Sequence, residues 1–296
     1  MRSTGRRYFV LAPREMSGAR VRGLLKELLA RRPVTFGVAE EEYVAGFEGQ
    51  PQFKTLKLDE IKSLAEKSGG RVTLLPYKQK DVVNVVRGLD FDRAIVVNGS
   101  HHRSFHLRPE YEAIIEKGAT VKYVSPFVDE VEARGFAEVH RHEHSVPGTI
   151  KELAPDSAIR SFLAKVASRA FITDFQTAAL IMGVRGVPVA VSHNVVTPYE
   201  TYAWHYGLSR EKHKSPPGDS AHYDTVHAET AALMKAGVAA KGGKLYMQTF
   251  PCPHCARNIV FAGIREVIYE LDYGDDYGYE LFDKAGIKYR KFDEQP

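Results

Sequence analysis

Residues 242–270 read GGKLYMQTFPCPHCARNIVFAGIREVIYE, and this stretch decides the fold of the second half of the chain. Its apolar pattern predicts a strand at Lys244–Thr249, a helix at Cys252–Gly263 and a second strand at Glu266–Glu270. Strands that alternate with helices in this way are typical of an α/β fold.

The alternation continues on both sides of this stretch. The remaining predicted elements of the second half are helices Ser157–Ala170, Val226–Ala240 and Tyr277–Ala285, and strands Phe175–Met182, Pro188–His193 and Ile287–Phe292. The connection from Val195 to Thr225 is longer than most loops in compact domains, and such connections are commonly lids or binding segments. Several of its side chains would suit gripping a phosphate or covering a pocket, a solvated loop being the alternative: Tyr202, Trp204, His205, Arg210, Lys212, His213, Lys214 and His222.

The first half has the pattern of strands joined by crossover helices in a mostly parallel, Rossmann-like sheet. The predicted strands are Tyr8–Leu11, Val34–Val38, Val72–Leu75, Ala94–Val97 and Val121–Val124, and the predicted helices are Ala19–Ala30, Leu58–Lys67, Gln79–Arg87, Pro109–Lys117 and Val128–Ala137. Ligands of such sheets bind beyond the carboxyl ends of the strands. The side chains expected there are Asn98, Ser100, His101, His102, Arg103 and Ser125. No dinucleotide or Walker motif identifies a cofactor.

A polar segment with Pro147, Gly148 and Pro155 separates the two halves, as a linker would. We therefore predict domains at 1–150 and 151–296. A second metal site could use the histidines of this region, but neither group has a cysteine or carboxylate at recognised spacing, so an exposed linker and loop histidines are the alternative. These histidines are His101, His102, His106, His140, His142 and His144.

The composition is that of a folded globular protein. The chain has 296 residues, of which 44% are hydrophobic and 26% charged, and a net charge of +4. These values exclude collagen-like, disordered and disulfide-scaffold chains. The sequence also lacks the concentrated basic stripe of a dedicated nucleic-acid binder. No signal peptide and no apolar run of about 18 residues is present. With only two cysteines, a cytoplasmic location is expected.

Four residues in two motifs carry the chemistry: His227 and Glu229, then Cys252 and Cys255. One imidazole and two thiolates are a ligand set of catalytic zinc, which keeps its fourth position open for water. A carboxylate that does not ligate the metal can move the proton of that water. A redox cysteine pair, or a structural zinc site closed by His254 or another residue, is the alternative, but neither accounts for Glu229 and Pro251.

The motifs H-x-E and P-C-x-x-C are together the signature of zinc-dependent nucleobase deaminases. The second half resembles the cytidine and deoxycytidylate deaminase family, and most closely its deoxycytidylate branch, on the phrases HAETAALMKAG, residues 242–270 and LFDKAGIKYRKF. The residue before Pro251 is Phe250, whereas tRNA adenosine deaminases usually have glutamate there. The resemblance implies a cytidine-deaminase-like α/β/α fold and a nucleotide substrate.

The resemblance also implies roles for individual residues. His227, Cys252 and Cys255 would hold Zn²⁺, and Glu229 would be catalytic, moving protons from water to ring N3 and to the departing ammonia. The substrate would be bound by Asn194, the backbone N–H of Ala228, Pro251 and Tyr273. For Asn194 a hairpin end that satisfies its own backbone is the alternative, and for Tyr273 a core or surface tyrosine. The strands FQTAALIM and SHNVV depart from the family pattern, so phosphate contacts are not implied.

The leading hypothesis is hydrolytic deamination of dCMP to dUMP. The alternatives are deamination of another nucleobase or of a nucleic-acid base, or a non-catalytic zinc-binding module. The N-terminal domain would bind an effector nucleotide or build an oligomer, and the resemblance implies a homo-oligomer.

Overall fold

The computed structural model describes residues 7–12, 14–28, 34–42, 56–67, 72–99, 105–143, 150, 154–171 and 175–292. The chain forms two compact units. Unit 1 comprises residues 1–140 and 198–224, and unit 2 comprises residues 141–197 and 225–296. The units are therefore not two continuous halves, because residues 198–224, which a single boundary near 150 places in the second domain, pack in unit 1.

Unit 1 is built on a five-stranded parallel sheet, which confirms the predicted Rossmann-like α/β fold. Its strand order is β3-β2-β1-β4-β5, and every pair of neighbours is parallel. The strands are β1 (Tyr8–Ala12), β2 (Val34–Ala39), β3 (Val72–Tyr77), β4 (Arg93–Val97) and β5 (Thr120–Val124). The helices are α1 (Gly18–Leu28), α2 (Leu58–Glu66), α3 (Val82–Gly88), α4 (Pro109–Glu116) and α5 (Glu130–Glu143).

Both faces of this sheet are covered, because successive side chains of a strand point to opposite faces. Val10 packs with Leu24 of α1 and Ile61 of α2, whereas Phe9 packs with Val86 of α3 and Ile114 of α4 in a second cluster. This arrangement explains why the strands are almost continuously apolar.

The segment 198–224 is folded and covers part of unit 1. It contains two short helices, α7 (Tyr202–Tyr206) and α8 (Ser209–His213). Trp204 is 5% exposed, its carbonyl accepts a hydrogen bond from Asn98 Nδ2 at 3.0 Å, and His205 Nδ1 lies 2.8 Å from Ser125 Oγ. The solvated-loop alternative is therefore wrong for Trp204. Arg210 donates to the carbonyls of Pro216 and Asp219 within the segment itself.

Unit 2 is a three-layer α/β/α structure, as predicted. Its sheet has the order β12-β11-β10-β6-β7, in which β6 and β7 form an antiparallel hairpin and β10, β11 and β12 are parallel. The strands are β6 (Ala178–Met182), β7 (Pro188–His193), β10 (Lys244–Met247), β11 (Glu266–Tyr269) and β12 (Lys288–Lys291), with a separate ribbon of β8 (Val195–Val196) and β9 (Thr225–Val226). The helices are α6 (Asp156–Ala167), α9 (Ala228–Ala236), α10 (Pro253–Ala262) and α11 (Tyr277–Ala285).

The two faces of the second sheet carry different helices. Leu245 packs with Ala232 of α9, Ile259 of α10 and Phe282 of α11. Tyr246, the next residue of β10, packs on the other face with Leu163 of α6. Strand β10 thereby lies at the centre of the sheet, with helices packed on both of its faces.

Two of the predicted elements of unit 2 have different bounds in the structure. The strand predicted from Phe175 begins at Ala178, and the helix predicted at Val226–Ala240 begins at Ala228 and changes to a 3₁₀ turn at Gly237, whose φ is 53°. Ser100, His101, His102, Arg103 and His144 lie outside the described residues, as do the side chains of His140 and His142. Within the described ranges, no helix is long and apolar enough to cross a membrane.

Candidate metal centre and active site

Two helix N-termini bring the predicted metal ligands together. His227 is the residue before α9, and Cys252 is the residue before α10, which Pro253 begins. Proline suits this position because its fixed φ is helical and the N–H that it lacks has no partner in the first turn. Cys255 follows three residues after Cys252 and faces the same side.

The three donor atoms lie close enough together to bind one metal ion. His227 Nδ1 is 3.5 Å from Cys252 Sγ and 3.4 Å from Cys255 Sγ, and all three donor atoms lie within 4.8 Å of one another. Among the described residues, this is the one group of three or more histidine, cysteine and acidic side chains that could hold a metal ion. Of the six histidines considered for a second metal site, His106 contacts Glu211, and the side chains of the other five lie outside the described residues.

The chemistry of this donor set fits zinc. A hydrogen bond between the side chains of Cys255 and Cys252 lowers the pKa of Cys252. The same hydrogen bond raises the pKa of Cys255, while the hydrogen bond to Cys252 raises that of His227. Both cysteines are buried, and neither forms a disulfide. One imidazole with two thiolates is a ligand set that zinc prefers.

Glu229 lies beside this group without belonging to it. Its side chain is 6% exposed, and its Oε2 atom is buried with no hydrogen-bond partner among the described residues. Burial is the main cause that raises the pKa of Glu229 to about 6. A carboxylate oxygen buried without a partner costs free energy of folding. Such a group is expected where a ligand or a reacting water completes its hydrogen bonds.

A pocket opens onto this carboxylate. Its lining residues are Phe175, Thr177, Asn194, His227, Glu229, Thr249, Phe250, Cys252 and Tyr273. Aromatic rings and a few polar groups in one concave site are typical of sites for small planar ligands. The arrangement can therefore hold a ring against the metal group and the Glu229 carboxylate.

Two of the four predicted substrate contacts line the pocket in the structure, and two do not. Asn194 and Tyr273 line the pocket, whereas Ala228 and Pro251 are buried and are not among its lining residues. The Ala228 N–H donates to Asn194 Oδ1 at 2.9 Å, and Asn194 Nδ2 donates to the Phe175 carbonyl at 2.7 Å. Both polar groups of the Asn194 amide are thus engaged within the protein.

Sequence reasoning did not assign four residues of the pocket. Phe175, Thr177 and Thr249 lie at strand ends, where no motif marks them. Phe250 was noted only for its place before Pro251, yet its ring is 1% exposed and stacks on Tyr279 with centroids 3.8 Å apart. A large apolar residue next to the metal motif was the signal for a buried pocket wall.

The comparisons with known proteins match the second half of the chain. The family model described as the cytidine and deoxycytidylate deaminase zinc-binding region matches residues 155–271. A probable deoxycytidylate deaminase of Drosophila melanogaster is 30% identical over 128 residues, which are 41% of this chain and 60% of that protein. The human deoxycytidylate deaminase is 39% identical over 80 residues, which are 25% of this chain and 45% of the human protein.

One of the solved structures to which this chain is similar is that of the dCMP deaminase from the cyanophage S-TIM5 in complex with dCMP and dUMP. It is 19% identical, with a TM-score of 0.35, and the match covers 46% of this chain and 94% of that chain. The chain spans between 22% and 60% of the length of the curated relatives it matches. The resemblance drawn from the motifs is confirmed for this part of the chain, because residues 155–271 match the model of the cytidine and deoxycytidylate deaminase zinc-binding region.

Proposed function

We propose that the chain is a zinc-dependent deaminase of a cytosine nucleotide and that its substrate is dCMP, which it hydrolyses to dUMP and ammonia. The observation that carries this proposal is the unpartnered Glu229 Oε2 atom, buried in a pocket beside His227, Cys252 and Cys255. The relatives named deoxycytidylate deaminase support the choice of substrate.

His227, Cys252 and Cys255 would hold the zinc ion. When bound, zinc supplies a Lewis acid that lowers the pKa of a bound water towards neutrality. Glu229 is not required as a fourth ligand, since catalytic zinc sites commonly have three protein ligands and an open position.

Glu229 would move the protons of the reaction. Water adds to C4 of the cytosine ring, and the C4–N4 bond breaks to release ammonia. Glu229 Oε2 accepts one proton of the water as the water adds and passes this proton to ring N3. Glu229 then takes the proton of the hydroxyl group now at C4 and passes it to N4, so that ammonia leaves and the C4=O bond of uracil forms. One carboxylate can serve all these steps because a ring bound in the pocket would lie beside it, and general acid-base catalysis needs only short proton transfers.

The pocket walls would orient the ring. Phe250 presents a fixed aromatic surface because Tyr279 stacks on it, and Tyr273, which is 39% exposed, is a second aromatic side chain of the lining. Thr177 and Thr249 add hydroxyl groups to the lining. A pocket with few polar groups discriminates between rings mainly by shape and by the hydrogen bonds those groups complete.

The test is ammonia release by purified, zinc-quantified protein. The substrates are dCMP, CMP, dCTP, deoxycytidine, cytosine, adenosine and guanine compounds, and single-stranded DNA. We expect dCMP to have the highest kcat/KM. Turnover of a purine or of single-stranded DNA in its place would contradict the substrate, and silence across the panel with one zinc per chain would contradict the activity.

We further propose that unit 1 binds an effector nucleotide. A pocket lies at the carboxyl ends of β4 and β5, and its lining residues are Val96, Asn98, Gly99, Tyr123, Ala203, Trp204, Leu208 and Glu211. Parallel sheets of this type bind ligands at this edge. Four of these residues, Ala203, Trp204, Leu208 and Glu211, belong to the segment 198–224, which leaves unit 2 after Thr197 and returns at Thr225, two residues before His227.

Trp204 is the only tryptophan of the chain, so its fluorescence reports this pocket directly. Titration with the common nucleoside triphosphates should change the Trp204 emission and the KM for dCMP over the same concentration range. Unchanged emission and kinetics with every nucleotide at millimolar concentration would contradict the effector role.

A further inference from the structure

A threonine next to the metal group connects the two helices that carry the ligands. Thr230 is in the first turn of α9, three residues after His227, and its Oγ1 atom lies 3.6 Å from Cys255 Sγ of α10. Asn258, one turn after Cys255 on α10, donates from Nδ2 to the same Thr230 Oγ1 at 3.0 Å. Thr230 is half-buried, and Asn258 is exposed.

The direction of the hydrogen bonds follows from the groups involved. The Asn258 amide nitrogen can only donate, so Thr230 Oγ1 accepts that bond. A metal-ligating thiolate can only accept. The Thr230 hydroxyl proton therefore has Cys255 Sγ as its acceptor, and the order is Asn258 to Thr230 to Cys255.

We propose that Thr230 is a positioning residue for the metal site, which holds the Cys255 sulfur in place by donating a hydrogen bond to it, and that Asn258 orients the Thr230 hydroxyl. The inference rests on the proposed role of His227, Cys252 and Cys255 as metal ligands. Groups that hydrogen-bond to metal ligands fix their orientation and change their electron donation to the metal.

Two substitutions of Thr230 change the hydroxyl group and the shape of the side chain separately. Serine carries the same hydroxyl, whereas valine has the same shape without the hydroxyl. Substituting Thr230 by valine removes the donor and leaves the packing of α9 against α10 nearly unchanged. Thr230→Val and Thr230→Ser are therefore a matched pair that separates the hydrogen bond from the shape of the side chain.

The experiment measures zinc affinity by competition with a chelator in the full-length wild type, Thr230→Val, Thr230→Ser and Asn258→Ala. Loss of a hydrogen bond to a metal ligand typically lowers metal affinity about 10- to 100-fold. We expect a loss of this size in Thr230→Val, affinity close to wild type in Thr230→Ser, and a smaller loss in Asn258→Ala.

A second readout uses cobalt in place of zinc. The thiolate-to-cobalt charge-transfer band should move to longer wavelength in Thr230→Val, because a sulfur without the hydrogen bond is a stronger electron donor. Thr230→Ser should restore the wild-type band. A Thr230→Val protein with wild-type zinc affinity and a wild-type band would overturn the role of Thr230, as would a Thr230→Ser protein that behaves like Thr230→Val. A wild-type protein without thiolate bands would instead overturn the metal site itself, so the two failures are distinct.

Discussion

Asn194 Oδ1 accepts the backbone N–H of Ala228 at 2.9 Å, which fixes the end of β7 to the start of α9. Asn194 Nδ2 donates to the Phe175 carbonyl at 2.7 Å, and the side chain is 5% exposed. The two bonds connect three chain segments around the pocket. Because His227 immediately precedes Ala228, they also set where the imidazole lies.

Replacing Asn194 by alanine should destabilise unit 2. The substitution leaves the Ala228 N–H and the Phe175 carbonyl without their partner, and we expect a loss of about 2 kcal/mol in the free energy of unfolding. Hydrogen exchange of the amides in α9 measures it. Asn84→Ala, at an exposed position of α3, is the control and should leave hydrogen exchange in α9 as in wild type. Equal protection in both variants would contradict a positioning role for Asn194.

Gly278 is required by the packing of Phe250. A Cβ atom at Gly278 would lie 2.8 Å from Cε1 of the Phe250 ring, and the ring cannot move away because it is buried and stacks on Tyr279. Gly278→Ala should therefore cost about 1–3 kcal/mol of stability and raise the KM for the nucleotide.

The control for this substitution is Gly23→Ala. Nothing lies within 4 Å of a Cβ atom there, and alanine in a helix is favoured over glycine by about 0.5–1 kcal/mol. Thermal unfolding should thus shift in opposite directions for the two variants. A Gly278→Ala protein as stable as wild type would show that the Phe250 wall can move.

Glu211 holds the segment 198–224 on unit 1. It is 8% exposed, and its carboxylate accepts the backbone N–H of His106 at 2.9 Å and the hydroxyl of Tyr123. Glu211→Ala removes the acceptor for both donors. We expect faster hydrogen exchange over residues 202–213 and a shift of the Trp204 emission to longer wavelength, since Trp204 would become exposed.

The exposed Glu112→Ala variant is the comparison for Glu211→Ala, and it should leave both signals as in wild type. Unchanged exchange and emission in Glu211→Ala would mean that the segment is held on unit 1 by other contacts.

The sequence predicted the features that depend on local pattern. The apolar runs located the strands of both sheets, and the spacing of His227, Glu229, Cys252 and Cys255 located the metal centre. Features that depend on contacts between distant residues were not predictable from pattern. The Asn98 contact with Trp204 joins residues 106 positions apart, and it is one reason why residues 198–224 pack with unit 1. The engagement of Asn194 by Ala228, 34 positions away, likewise required the folded backbone.

The proposed role of Glu229, to move the protons of a zinc-dependent deamination, is tested by measuring ammonia release from dCMP with zinc-quantified wild type and Glu229→Gln. Glutamine has the same shape but cannot move a proton, so we expect unchanged zinc content and kcat lowered by about 10²- to 10⁴-fold. Glu280→Gln, at an exposed site on α11, should match wild type in both respects. A zinc-loaded Glu229→Gln protein that releases ammonia at the wild-type rate would contradict the claim.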